Sequence, residues 1–265
     1  MMKHKFTLAL LFVSLLSFAQ DDVPTSAWVS APVTVDGKAL EWKLPLRLYD
    51  SGTKLFFAFA NDDKNLYLCF QAPDDMFQTK IIRAGMEVAV SAKGKHKVSI
   101  TFPIAQTSAS GPAGDDADQL SKRTNFILQN TMMNVKGFVS RNGIIPINDT
   151  SGIHAAINWD DNNKLTYEIA IPFKEWFGAG YNIADIAKDI TLEVTINALK
   201  QARRKNGAGQ NIMEGEQGKL DGGRHHQHAE NDAETHVMPG EYKYSLYEKR
   251  KLKQKFVLAE NGDGK

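Results

Sequence analysis

The residues best able to do chemistry gather in one stretch. His225, His226, His228 and His236 lie with Glu230, Asp232 and Glu234 among glycines, and neutral imidazoles beside carboxylates are good ligands for zinc, copper or nickel. Their spacing does not repeat the helix-borne H-E-x-x-H pattern, and the flanking glycines predict a solvated loop whose ordering would consume binding energy. The four histidines are therefore a candidate transition-metal site carried on a loop. Catalytic patterns are weaker. No G-x-S-x-G elbow occurs, and the paired carboxylates Asp74-Asp75 and Asp115-Asp116 are adjacent, so on an extended chain they point to opposite sides and do not form an acid–base pair. Cys69, the single cysteine, alternates within an apolar run, where a buried and inert thiol is expected. No glycine-rich phosphate loop opens a helix. The reading is that the protein is not an enzyme.

The 265 residues are 42% hydrophobic and 24% charged, with 32 Lys+Arg against 31 Asp+Glu. That balance fits a globular chain with a sizeable core and excludes a strongly basic nucleic-acid scaffold. One cysteine permits no internal disulfide framework, so packing must supply the stability. Residues 1–19 carry Lys3 and Lys5, an apolar run from Phe6 to Leu16, then small residues flanking Phe18. This is the layout of a secretory signal peptide, with cleavage expected near Ala19. The apolar run is shorter than the about 20 residues needed to span a bilayer. Removing the leader leaves 30 basic and 31 acidic residues. A periplasmic or secreted protein with no membrane span and no nucleic-acid partner is expected. The basic run Lys249-Arg250-Lys251 reads as an exposed strand edge.

The elements that would carry any site are strands. Leu55-Phe57-Phe59, Leu66-Leu68-Phe70, Met86-Val88-Val90 and Val98-Ile100-Phe102 alternate with polar or small neighbours. Asn61-Asp62-Asp63-Lys64-Asn65, Lys93-Gly94-Lys95 and Asp160-Asp161-Asn162-Asn163 supply turn formers between such runs. Further runs lie at 134–139, 153–159, 165–171 and 190–196, and a last one at 253–259. Helical periodicity is confined to one or two turns at 173–177 and 183–187. The pattern predicts an all-β, two-layer antiparallel sandwich with one or two short helices, occupying residues 20–265 as a single domain. Residues 105–122 and 201–240 are expected to be mobile loops. The second of these is long and rich in glycine and histidine, holding seven glycines and no aromatic residue.

Four pieces of local wording carry a resemblance. They are Val33-Thr34-Val35-Asp36-Gly37 followed by Glu41-Trp42, then Asp63-Lys64-Asn65-Leu66-Tyr67, then Gly85-Met86-Glu87-Val88, then Tyr167-Glu168-Ile169-Ala170-Ile171-Pro172. Over most of residues 33–200 they resemble the carbohydrate-binding module family 9-like domains, related to the DOMON superfamily of secreted β-sandwiches. The resemblance implies a jelly-roll or immunoglobulin-like sandwich that binds a carbohydrate or another small polar ligand without catalysis. Independently, Asp36-Gly37 suits a tight turn, and Pro172 suits the step from a strand into a helical turn.

Sugar rings have apolar C–H faces ringed by hydroxyls, so a saccharide site needs exposed aromatic planes beside polar groups. Of the four tryptophans, Trp42 and Trp176 are expected in the core. Trp28 and Trp159 are the candidate ligand-binding platforms. Calcium is a further candidate, since the turns are rich in Asp and Asn, although no defined calcium loop occurs. The related haem-binding branch offers an alternative in which Met86 and a loop histidine would be axial ligands. Another alternative is an envelope interaction module without sugar affinity.

Overall fold

A computed structural model describes residues 23–92, 97–105, 119–200 and 245–261. Strands β3 (Leu55–Asn61) and β4 (Asn65–Ala72) form a hairpin. The Asp62 carboxylate closes it by accepting the N–H groups of Lys64 and Asn65, both at 2.7 Å. On the far side of β4 lie β10 (Leu165–Pro172) and then β9 (His154–Trp159), all antiparallel. The outer edge of β3 is shared by β2 (Leu48–Asp50), antiparallel to Leu55–Phe57, and by β1 (Ala27–Trp28), parallel to Ala60–Asn61. The second sheet runs β12, β11, β5, β6, β7, β8. These strands are Arg250–Phe256, Ile190–Ile196, Met86–Ala92, Val98–Phe102, Met132–Lys136 and Gly143–Pro146. All of its pairings are antiparallel. The alternating residues of the sequence thus become two facing β layers. Leu66, Leu68 and Phe70 of one sheet share a core with Val88, Val90, Ile100, Leu192 and Val194 of the other. The basic run does lie at an edge, because Arg250 begins β12.

The expected turns 173–177 and 183–187 form α3 (Phe173–Phe177) and α4 (Ile183–Ile186). Two longer helices correct the expectation that helix is confined to these turns. The first, α1 (Asp75–Ala84), is begun by Asp74, whose carboxylate accepts from Met76 and Phe77 N–H at 3.0 and 3.1 Å. It buries Phe77, Ile81 and Ala84 at helical spacing, and it stops at Gly85, whose φ of 81° is one that glycine tolerates. So Asp74 is a helix cap. The second, α2 (Gln119–Gln129), takes residues 119–122 out of the loop expected over 105–122. The turn at 93–95, residues 106–118 of that loop, and residues 201–240 lie outside the described residues, as does the leader.

Lys80 on α1 is fully buried, and its Nζ donates to the backbone carbonyls of Ser245 (3.0 Å) and Glu248 (2.5 Å). It thereby fixes the chain leading into β12 against α1. Burial holds this ammonium below the usual lysine range; the nearby Arg250 pushes the same way and Glu248 opposes. At a pH between the folded and unfolded values the unfolded chain keeps a proton that the folded one has shed. Stability therefore rises with pH toward the ordinary lysine value of about 10.4, relative to a variant lacking the amine. Denaturant titrations of the protein and of Lys80→Met across the alkaline range should show that divergence. Parallel curves would mean that Lys80 is not depressed.

Candidate functional site

The site begins with how the segment before β2 is held. Thr25 bridges Val257 in parallel, Ser26 N–H donates to the Val257 carbonyl at 2.9 Å, and Val257 N–H donates to the Pro24 carbonyl at 3.0 Å. Asn61, fully buried at the end of β3, completes the joint. Its Nδ2 donates to the Ala259 carbonyl (3.1 Å), while its Oδ1 accepts from Ala259 N–H (3.0 Å) and from the Ser26 hydroxyl. Ala259 N–H also reaches Ser26 Oγ at 2.9 Å. A buried amide so fully engaged fixes register, and it sets Trp28, two residues beyond Ser26, at the edge of the sheet.

The outer face of the same sheet is not solvated. Val29, Val33, Val35 and Trp42 pack on Ala60, Tyr67 and Ala170, while Ala39, Leu46 and Trp42 pack with Cys69, Phe56 and Ala58. This irregular cover makes β4 and β10 buried on both faces. Its latch is Glu168, 1% exposed. Oε2 of Glu168 accepts the Gly37 N–H at 2.7 Å and the Asp36 N–H at 3.1 Å, while Oε1 accepts the Trp42 indole N–H at 2.7 Å. Burial pushes this carboxyl up from its ordinary value; the N–H groups of Gly37, Trp42 and Asp36 pull it down, and the Asp36 carboxylate adds to the rise. Cys69 lies directly opposite Glu168 in the strand register. Burial, with the Glu168 charge beside it, raises that thiol far above its usual range, which matches the inert thiol expected.

Between the cover and the edge of β3 the fold leaves a cavity of about 700 Å³. Ala58 and Phe59, the two β3 residues paired with neither β1 nor β2, form part of its wall. The half-buried indoles of Trp28 and Trp42 line it, and exposed Lys43, Leu44, Pro45 and Arg47 mark its mouth. Among the described residues no Asp, Glu, Asn or Gln side chain lines it. Because the Trp42 N–H is spent on Glu168, that indole offers the cavity ring carbon and no donor. A volume in the small-ligand range of about 300–1,000 Å³, mostly apolar walls and a few polar groups suit a small molecule.

The candidate residues read from the sequence fall into three groups. Trp28 is in the cavity wall. Trp159 stands on β9, at the other edge of the sheet, and the two tryptophans do not meet. Its N–H donates to Gln78 Oε1 at 2.9 Å, Phe126 packs edge-on at 5.7 Å, and the Arg123 guanidinium covers the ring at 5.1 Å. Its surface is largely occupied by packing of α1 and α2. His225, His226, His228 and His236 lie outside the described residues. Among the described residues no group of three or more His, Cys, Asp or Glu side chains converges as a metal-ligand set. Met86, the axial ligand of the haem alternative, is fully buried in the core between the sheets. Trp176 is buried as expected, but Trp42 is only half-buried and faces the cavity, which corrects its assignment to the core. Lys43 and Arg47 were not anticipated as site residues. Their one sequence signal is nearness to Trp42 in a segment without strand alternation. Among the described residues no helix is long and apolar enough to cross a membrane.

Compared with known proteins, the chain matches no protein-family model and no curated protein.

Proposed function

We propose that the protein is an exported, non-catalytic binding protein whose fold is a jelly-roll or immunoglobulin-like sandwich akin to the family 9-like carbohydrate-binding domains. Its ligand, a saccharide or similar small polar molecule, occupies the cavity between Trp28 and Trp42. The observation that carries this reading is the cavity of about 700 Å³ with two indoles in its wall. Aromatic planes beside polar groups are what a sugar ring's C–H faces and hydroxyls require. Further support comes from Glu168, which ties the Asp36-Gly37 and Trp42 pieces of the family-like wording to the Tyr167-Glu168 piece. These short pieces then form one mechanical unit, the unit that holds a cavity wall.

The test is a glycan array followed by titration calorimetry on any glycan retained. Trp28→Ala should weaken binding about 30-fold, the usual effect of removing an aromatic anchor worth about 2 kcal/mol. Trp159→Ala, remote from the cavity, should leave the affinity within about twofold. Absence of saccharide binding, or equal affinity in Trp28→Ala, would overturn the proposal.

A further inference from the structure

The side chains around the cavity are unbalanced in two ways. Among the described residues, Lys43 and Arg47 are the only charged ones in its lining, both positive, and neither is in an ion pair. The nearest carboxylates in sequence are turned elsewhere: Glu41 accepts the Thr34 N–H at 3.4 Å, and Asp50 accepts the N–H and hydroxyl of Thr53, both at 2.7 Å. The second imbalance is of hydrogen-bonding type. A neutral sugar is ringed by hydroxyls that donate as well as accept, and a site for one supplies carboxylates or amides. Among the described residues this cavity has neither in its lining, the Ser26 hydroxyl in its wall is already engaged by Asn61 and Ala259, and the exposed Thr25 hydroxyl is the one other side-chain acceptor. The polar chemistry left over consists mainly of cationic donors.

We infer that the ligand is an acidic sugar, a ring bearing a carboxylate, with its C–H face against Trp28 and Trp42 and its carboxylate at Arg47 and Lys43. A carboxylate only accepts, so it fits a donor-rich wall, and the planar guanidinium of Arg47 can meet both of its oxygens at once. The indoles hold the ring and the two cations select its charge. This inference rests on the proposed reading of the cavity as a saccharide site.

The experiment compares three oligosaccharides on the same ring, one neutral, one with a C6 carboxylate and one sulfated, by calorimetry on the purified protein at low salt. The carboxylate form should bind about tenfold or more tightly than the neutral one. That preference should shrink as salt is raised to about 0.5 M, where screening reaches only a few ångströms. With the loss falling mainly on the acidic ring, Arg47→Met should cut the preference, and Arg47→Met combined with Lys43→Met should abolish it. Arg47→Lys should keep more of it than Arg47→Met. Both positions are exposed, and an unchanged melting temperature confirms that the variants are folded. A neutral ring that binds as well as the acidic one, with Trp28→Ala still destructive, would overturn the charge selection and spare the saccharide cavity. So would a preference that survives the double variant. Tighter binding of the sulfated ring would overturn the carboxylate assignment. No binding of any ring, or binding indifferent to Trp28→Ala, would bring down the cavity reading itself.

Discussion

Replacing Glu168 with alanine should cost about 2–4 kcal/mol of stability, because it strips three N–H donors of an ionic acceptor at once and leaves at least the buried one unsatisfied. The donors are the N–H groups of Asp36 and Gly37 and the Trp42 indole, at 3.1, 2.7 and 2.7 Å. Burial of the carboxylate offsets part of its worth, which places the loss below the sum of three charge-assisted bonds. Glu168→Gln should fall between, since its amide offers one acceptor oxygen and turns an NH2 toward a donor. A plain loss of packing would also lower the melting temperature, so a second readout separates the two causes. Cys69 sits opposite Glu168 beneath the cover, fully buried. If the latch holds the cover down, alkylation of Cys69 in Glu168→Ala will outpace global unfolding, whereas in the unaltered protein it will track unfolding. Labelling that follows global unfolding in both proteins, with a stability change under about 1 kcal/mol, would show that the cover needs no latch.

The sheets were legible in the sequence because their residues obey a period of two, as Leu66-Leu68-Phe70 and Val98-Ile100-Phe102 do. What period cannot reveal is a second buried face. Glu168 looks like part of the wet side of β10, yet it is 1% exposed, because a distant, irregular segment lies over it. No local propensity encodes that contact, which spans over 120 residues. The same blindness sent Trp42 to the core and left Lys43 and Arg47 unremarked. Helix α1 is a different kind of miss. Its cap Asp74, its stop Gly85 and the buried Phe77, Ile81 and Ala84 were all present as signals. Read only as a carboxylate pair, Asp74-Asp75 hides the fact that its first member caps a helix. Strands β1, β2 and β8, of two to four residues, are too short for any period to show.

The second large effect is expected at Gly37, where the cover turns. Its φ of +78° already costs a residue with a side chain about 1–2 kcal/mol. The added methyl of Gly37→Ala would stand 2.6 Å from the Asn158 backbone nitrogen and 2.8 Å from the Ile157 carbonyl carbon, both in β9. Neither atom belongs to a flexible side-chain end, so the turn must lift away from the sheet, at a further cost of about 1–3 kcal/mol. Lifting it draws the Gly37 N–H from Glu168 and loosens the partner shared with Trp42. The expected total is about 3 kcal/mol or more, read by denaturant titration, together with weaker ligand binding and faster Cys69 alkylation. The binding loss should arise although Gly37 does not line the cavity. Because both substitutions release one latch, Glu168→Ala and Gly37→Ala combined should cost well under the sum of their separate effects. Full additivity would mean that the turn and the carboxylate hold the cover independently, and that the Trp42 wall does not depend on their joint geometry.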